Sequence, residues 1–145
     1  MSPLRETGRR GRPEAPRPPG LAARPADIVR RMNLTLVRHA TLLIDYAGRR
    51  IMVDPMLDHA NARGPVRGTP NERPNPLLDL PMTADEAAAG VQAVLLSHTH
   101  VDHMDAAGVT ALAPGGAPWL CQPEDVEDLT GIGLPDVRQI GRAHV

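Results

Sequence analysis

A chain of 145 residues supports one domain, and a net charge of −1 argues against a dedicated nucleic-acid or membrane-surface protein. There is no Lys and no Phe, with one Trp and one Tyr, so the core has to be built from Leu, Val, Ile, Met and Ala. The lone Cys121 excludes an intramolecular disulfide, and no apolar window approaches the ~18 residues of a membrane span.

Residues 1–31 hold eight Arg against three acids, a charge of +5, and the remainder carries −6. This Pro- and Arg-rich arm cannot bury a core and is expected to be disordered, with residues 32–145 forming the domain. The arm lacks the apolar stretch of a secretory signal, which leaves the cytoplasm as the expected compartment. Met32 stands immediately before the first periodic strand and is the expected true start.

Leu34, Leu36 and residues 42–44 are strand candidates, with Ala47 and Gly48 as a hairpin turn and residues 50–53 as the returning strand. That strand ends at Asp54-Pro55. Residues 58–82 are dense in Pro, Asn, Gly and Arg and are expected to form a long loop, a flap over the mouth of a site. His59 within it reads as a loop residue. Thr83-Ala84-Asp85-Glu86 is a capping box that opens a short helix ending at Gly90. Residues 91–97 form an apolar strand, 104–113 a helix closed by Pro114-Gly115-Gly116, and 118–122 a short buried strand that includes Cys121 as a small buried residue. Pro123-Glu124-Asp125 opens a helix ending near Gly131, its early acids favoured by the dipole. Residues 137–140 complete the pattern as a strand.

The chemistry concentrates directly after the strand at 91–97, in His98-Thr99-His100-Val101-Asp102-His103. Side chains at i and i+2 of an extended segment share a side. His98 and His100 can therefore grip one ion, while Asp102 and His103, past the turn, reach a second. Three neighbouring imidazoles resist joint protonation, and a bound cation resolves this by taking them neutral. Imidazole with carboxylate suits one or two divalent ions, zinc before iron or manganese.

Ser97-His98-Thr99-His100-Val101-Asp102-His103 after an apolar strand resembles the signature of the metallo-β-lactamase superfamily. Upstream, the run from Leu36 to Tyr46 with His39-Ala40, followed by Arg50-Ile51-Met52-Val53-Asp54-Pro55-Met56, is similar to its lactonase-like and phospholipase D-like branch of metal-dependent hydrolases. The resemblance implies an α/β fold, an αββα sandwich with metals at one edge of its two sheets. It implies His98 and His100 on a first metal, Asp102 and His103 on a second, and metal-activated water attacking an ester, lactone or phosphoester of a small molecule. In a one-metal form Asp102 accepts the proton of that water. Asp54 is either a residue behind the ligands that orients a histidine or an ordinary Asp-Pro turn; His39 either lines the pocket or ends a strand. The family's later ligands have no counterpart here, His144 being the only histidine downstream. The chain is therefore expected to be the N-terminal half of such a domain, an inactive fragment. Two other readings stand beside it: a non-catalytic metal-binding module completed by an oligomer partner, and an inert domain whose arginine-rich arm binds nucleic acid.

Overall fold

The computed structural model describes residues 31–65, 68 and 70–140. The expected arm, apart from Arg31, and the run 141–145 with His144 lie outside the described residues. Six strands form one sheet in the order of the chain. β1 (Met32–Arg38), β2 (Thr41–Tyr46) and β3 (Arg49–Val53) are antiparallel; β4 (Ala93–Leu95), β5 (Trp119–Cys121) and β6 (Val137–Gln139) continue parallel to β3. Ala47 and Gly48 join β2 to β3 with both φ angles positive, the geometry that matches a two-residue hairpin to strand twist. The parallel connections carry α1 (Ala84–Ala88), α2 (Ala106–Leu112) and α3 (Val126–Gly131).

Pairing sorts the side chains into two faces. Leu43, Met52, Val94 and Trp119 lie in one cross-strand row, all buried, and pack with Ala87 of α1 and Leu112 of α2. Leu129 of α3 closes a second cluster on Leu96 and Cys121. The other face is also apolar: Leu34 pairs with Ile44, Ile44 with Ile51, Leu36 with Leu42, Leu42 with Val53, Val53 with Leu95 and Leu95 with Leu120. Among the described residues no helix covers it, and Leu34 and Leu36 are 58% and 66% exposed. A sheet apolar on both faces with helices on one is half of a layered sandwich.

The local signals account for most boundaries. Thr83 and Glu86 form the expected reciprocal capping box. The helix expected from residue 104 begins instead at Ala106, because Asp105 is extended and caps it, its Oδ1 accepting the Gly108 N–H at 2.7 Å. It ends at Leu112, where Pro114 turns the chain into a 3-10 turn, Ala113–Gly115. The strand expected over 91–97 is regular only at Ala93–Leu95. The long loop is pinned to the sheet by Arg38, buried and donating to the carbonyls of Leu78, Met56 and Asp58 at 2.8, 3.0 and 2.7 Å. Burial pulls this guanidinium below its ordinary pKa.

α2 lies so close to the turn after β3 that a Cβ added at Gly108 would overlap the carbonyl oxygen of Pro55. Gly108→Ala is therefore expected to force the helix away and destabilise the chain by about 1–3 kcal/mol, the usual effect of overpacking. Urea unfolding followed by the fluorescence of buried Trp119 checks it; an unchanged midpoint would show that the turn yields freely.

Candidate metal centre

The site begins at the C-terminal ends of β3 and β4. Their parallel pairing ends at Val53 opposite Leu95, which brings Asp54 beside the start of the histidine loop. Asp54 has φ +48, a left-handed conformation that Asp tolerates better than most residues. Neighbours hold it there: its N–H donates to Leu95 O at 3.0 Å, and its carbonyl accepts from Thr41 Oγ1 at 2.6 Å and Met56 N at 2.9 Å. The carboxylate is buried, and it accepts from Ser97 N at 2.7 Å, Ser97 Oγ at 2.8 Å and His103 Nδ1 at 2.8 Å.

Ser97 Oγ also lies 3.0 Å from His98 Nδ1 and 3.0 Å from His103 Nδ1. A serine hydroxyl has one proton to donate and two lone pairs to accept with. With that hydrogen bond donated to the Asp54 carboxylate, Ser97 Oγ can only accept, so Nδ1 of both histidines carries hydrogen, and in a neutral ring Nε2 keeps its lone pair. The network thus assigns the tautomer in which both rings present Nε2 as a donor atom.

The loop brings its candidate residues together. One ligand atom each from His98, His100 and Asp102 lies within 4.8 Å of the others. The His98 and His103 ring centroids are 3.8 Å apart and those of His98 and His100 4.5 Å. His103 Nε2 is 3.8 Å from Asp102 Oδ2. Asp102 therefore sits with the first two histidines as well as beside His103, instead of dividing the four into separate pairs. The turn 100–103 is closed by His103 N and Met104 N donating to His100 O at 2.9 and 3.1 Å.

His39, with φ +52, is exposed in the turn between β1 and β2. It lines a cavity of about 370 Å³ together with Asn71, Arg73, Pro74, Asn75, Leu77 and Asp102. The expected loop thus contributes a wall beside Asp102. His59 is exposed elsewhere in that loop. Cys121 is fully buried, and burial together with nearby Asp125 pushes its thiol up, away from nucleophilic use.

Several residues at this site escaped the sequence reading. Ser97 enters the sequence reading as a strand end and as the first residue of the signature, with no role of its own, although a hydroxyl next to a histidine cluster is itself a signal. Gln122 Nε2 donates to Ser97 O at 2.7 Å, Thr99 Oγ1 to Asp125 Oδ1 at 3.0 Å, and Arg63 to Val101 O. Arg63 also pairs with Asp58 at 2.6 Å and with buried Asp105 at 3.3 Å. Apart from Asp58, these partners are distant in sequence, and no local pattern announces them.

Known proteins resemble this chain over the same span. Residues 49–144 match the family described as "Beta-lactamase superfamily domain". The UPF0173 protein YddR of Bacillus subtilis is 30% identical over 107 residues, covering 73% of this chain and 42% of the relative. A UPF0173 metal-dependent hydrolase of Azorhizobium caulinodans is 31% identical, over 71% of this chain and 38% of its own. The chain thus spans about two fifths of the length of these relatives. Among solved structures, an isothiocyanate hydrolase from Delia radicum gut bacteria is 34% identical with a TM-score of 0.69, over 77% of this chain and 43% of that one. A possible metal-dependent hydrolase from Veillonella parvula is 30% identical with a TM-score of 0.72, over 80% and 44%. The α/β half-sandwich is thus that of a known family, and the chain belongs to the beta-lactamase superfamily.

Proposed function

We propose that this chain is the N-terminal half of a metal-dependent hydrolase domain, over residues 32–145, in which His98, His100, Asp102 and His103 hold one or two divalent cations. Zinc is the first choice, with iron and manganese served by the same donors. The observation that carries this reading is the approach of ligand atoms from His98, His100 and Asp102 to within 4.8 Å of one another. The donor chemistry fits: the imidazoles of His98 and His103, with Nδ1 engaged by Ser97 and, in His103, also by Asp54, stand beside a carboxylate, which matches the way proteins orient metal ligands.

Such a cation, when bound, acidifies water and polarises the carbonyl or phosphoryl oxygen under attack, which suits hydrolysis of an ester, lactone or phosphoester. Asp102, half-exposed at its side chain, takes up the proton of the attacking water at its carboxylate. Asp54 and Ser97 hold the rings of His98 and His103. The cavity formed by His39, Asn71, Arg73 and Asp102 seats a small cytoplasmic substrate. Four donors shared between two ions give each only two protein ligands, where catalytic zinc takes three. In that two-ion form the 145-residue chain alone is expected to hold metal with little or no turnover. The same observation leaves a second reading, a binding module whose shell is completed by a second subunit.

Titration of the metal-free chain with zinc against a chromophoric chelator is expected to show saturable binding that His98→Ala together with His100→Ala abolishes. Binding that these substitutions leave unchanged would sink the reading. Asp54→Asn keeps a residue suited to positive φ but weakens the acceptor for His103 and Ser97, and is expected to lower metal affinity ~10–100-fold and, by weakening three hydrogen bonds to a buried group, to lower the melting temperature of the metal-free chain. Turnover is measured on an ester, a lactone and a phosphoester, with an isothiocyanate added because its reacting carbon is also electrophilic. Hydrolysis abolished by Asp102→Asn supports the enzyme. Metal-loaded dimers without hydrolysis support the binding module.

A further inference from the structure

Thr99 stands between His98 and His100, and its side chain reaches the acids at the start of α3. Its hydroxyl is 3.0 Å from Asp125 Oδ1 and 3.4 Å from Asp128 Oδ2. One hydroxyl proton serves one acceptor, and the shorter contact is to Asp125. Asp125 ends the 3-10 turn Pro123–Asp125 and occupies the N-cap position of α3. Asp is among the residues best suited to cap a helix, yet this one makes no side-chain cap hydrogen bond. It is only 7% exposed, and its Oδ2 is buried without a hydrogen-bond partner. Burying a carboxylate oxygen unpaired is unfavourable. A residue that served α3 alone would turn its carboxylate to the helix amides.

The position of the contact gives this cost a purpose. Regular pairing of the strand ends with Leu96 N donating to Leu120 O, and the next backbone bond forward is the turn from His103 N to His100 O. Between them side chains anchor the chain: Ser97 through Asp54 and Gln122, and Thr99 through Asp125. Freed at Thr99, the backbone between the two histidines can rotate, and the two rings then stop converging.

We propose that Asp125 is a positioning residue for the metal loop, acting through the Thr99 hydroxyl to hold His98 and His100 at the spacing one cation needs. This rests on the metal reading given above. The test uses the full 145-residue chain and Co(II), whose visible absorption reports ligand geometry, with affinity measured by chelator competition. Thr99→Val, which keeps shape and removes the hydroxyl, and Asp125→Ala are each expected to weaken Co(II) binding ~10–100-fold and to alter the absorption bands. The double variant is expected to lose no more than either single one, since both remove the same contact. Thr99→Ser is expected to restore affinity and spectrum. Should Asp125→Ala fail to fold, the Val and Ser variants at position 99 carry the test.

Thr99→Val binding Co(II) as tightly as the unaltered chain, with the same spectrum, overturns the proposal. Independent, additive losses at the two positions overturn it too, as does a fall in melting temperature alone. If the unaltered chain and its His98→Ala variant both fail to hold Co(II), the metal reading falls and this proposal with it. Loss confined to the variants at 99 and 125 cannot be mistaken for that result.

Discussion

The site hangs on one buried carboxylate. Asp54 gathers the Ser97 backbone, the Ser97 hydroxyl and His103 within 2.8 Å of its two oxygens, and it does so from a backbone conformation that costs energy to hold. Charge-assisted hydrogen bonds are roughly twice as strong as neutral ones, and three of them converge on a carboxylate that is itself buried. The turn tolerates its strain because Thr41, Met56 and Leu95 fix it from three directions. Remove the carboxylate and the loop loses its entry point, its serine and the orientation of one histidine together.

The fold supplies this carboxylate through register. Val53 pairs with Leu95, so the residues that follow each strand emerge side by side at the same sheet edge. A slip of one residue would turn every side chain to the other face and bury the site residues under the helices. The buried row Leu43, Met52, Val94 and Trp119 opposes that slip. α2 adds a second constraint from below: Asp105 caps that helix with one oxygen and holds Asp58 N with the other at 2.9 Å, tying the end of the metal loop to the segment beyond Pro55.

The sequence disclosed what is local. The HTHVDH run marks itself as a dense cluster of candidate metal donors, the capping box at Thr83 sets a helix start by adjacent residues, and Ala47-Gly48 specifies its hairpin. Where the reading stopped short, the deciding partner was remote. Asp105 could be seen as a cap only against α2, the parallel strand β4 is regular for just three residues, and Asp125 meets Thr99 across 26 positions. Asp54 was legible as either a turn or a support for a histidine, and geometry shows that it is both at once.

The number of ions the loop can manage follows from the same geometry. His98, His100 and Asp102 form a compact trio, and three protein ligands with one open position describe a catalytic zinc site. A single cation would therefore find its shell within the loop. His103 stands next to that trio with its Nδ1 engaged by Asp54 and Ser97, offering one further donor atom on the side of Asp102. A second cation there would draw on Asp102 and His103 and would need donors from outside residues 97–103. The uncovered apolar face ends at this edge, where Val53 precedes Asp54 and Leu95 comes two residues before Ser97. A polypeptide layer that buries Leu36, Leu42, Val53, Leu95 and Leu120 would thus arrive beside the loop. Burial of that face, driven mainly by the hydrophobic effect, would therefore bring further chain next to residues 97–103.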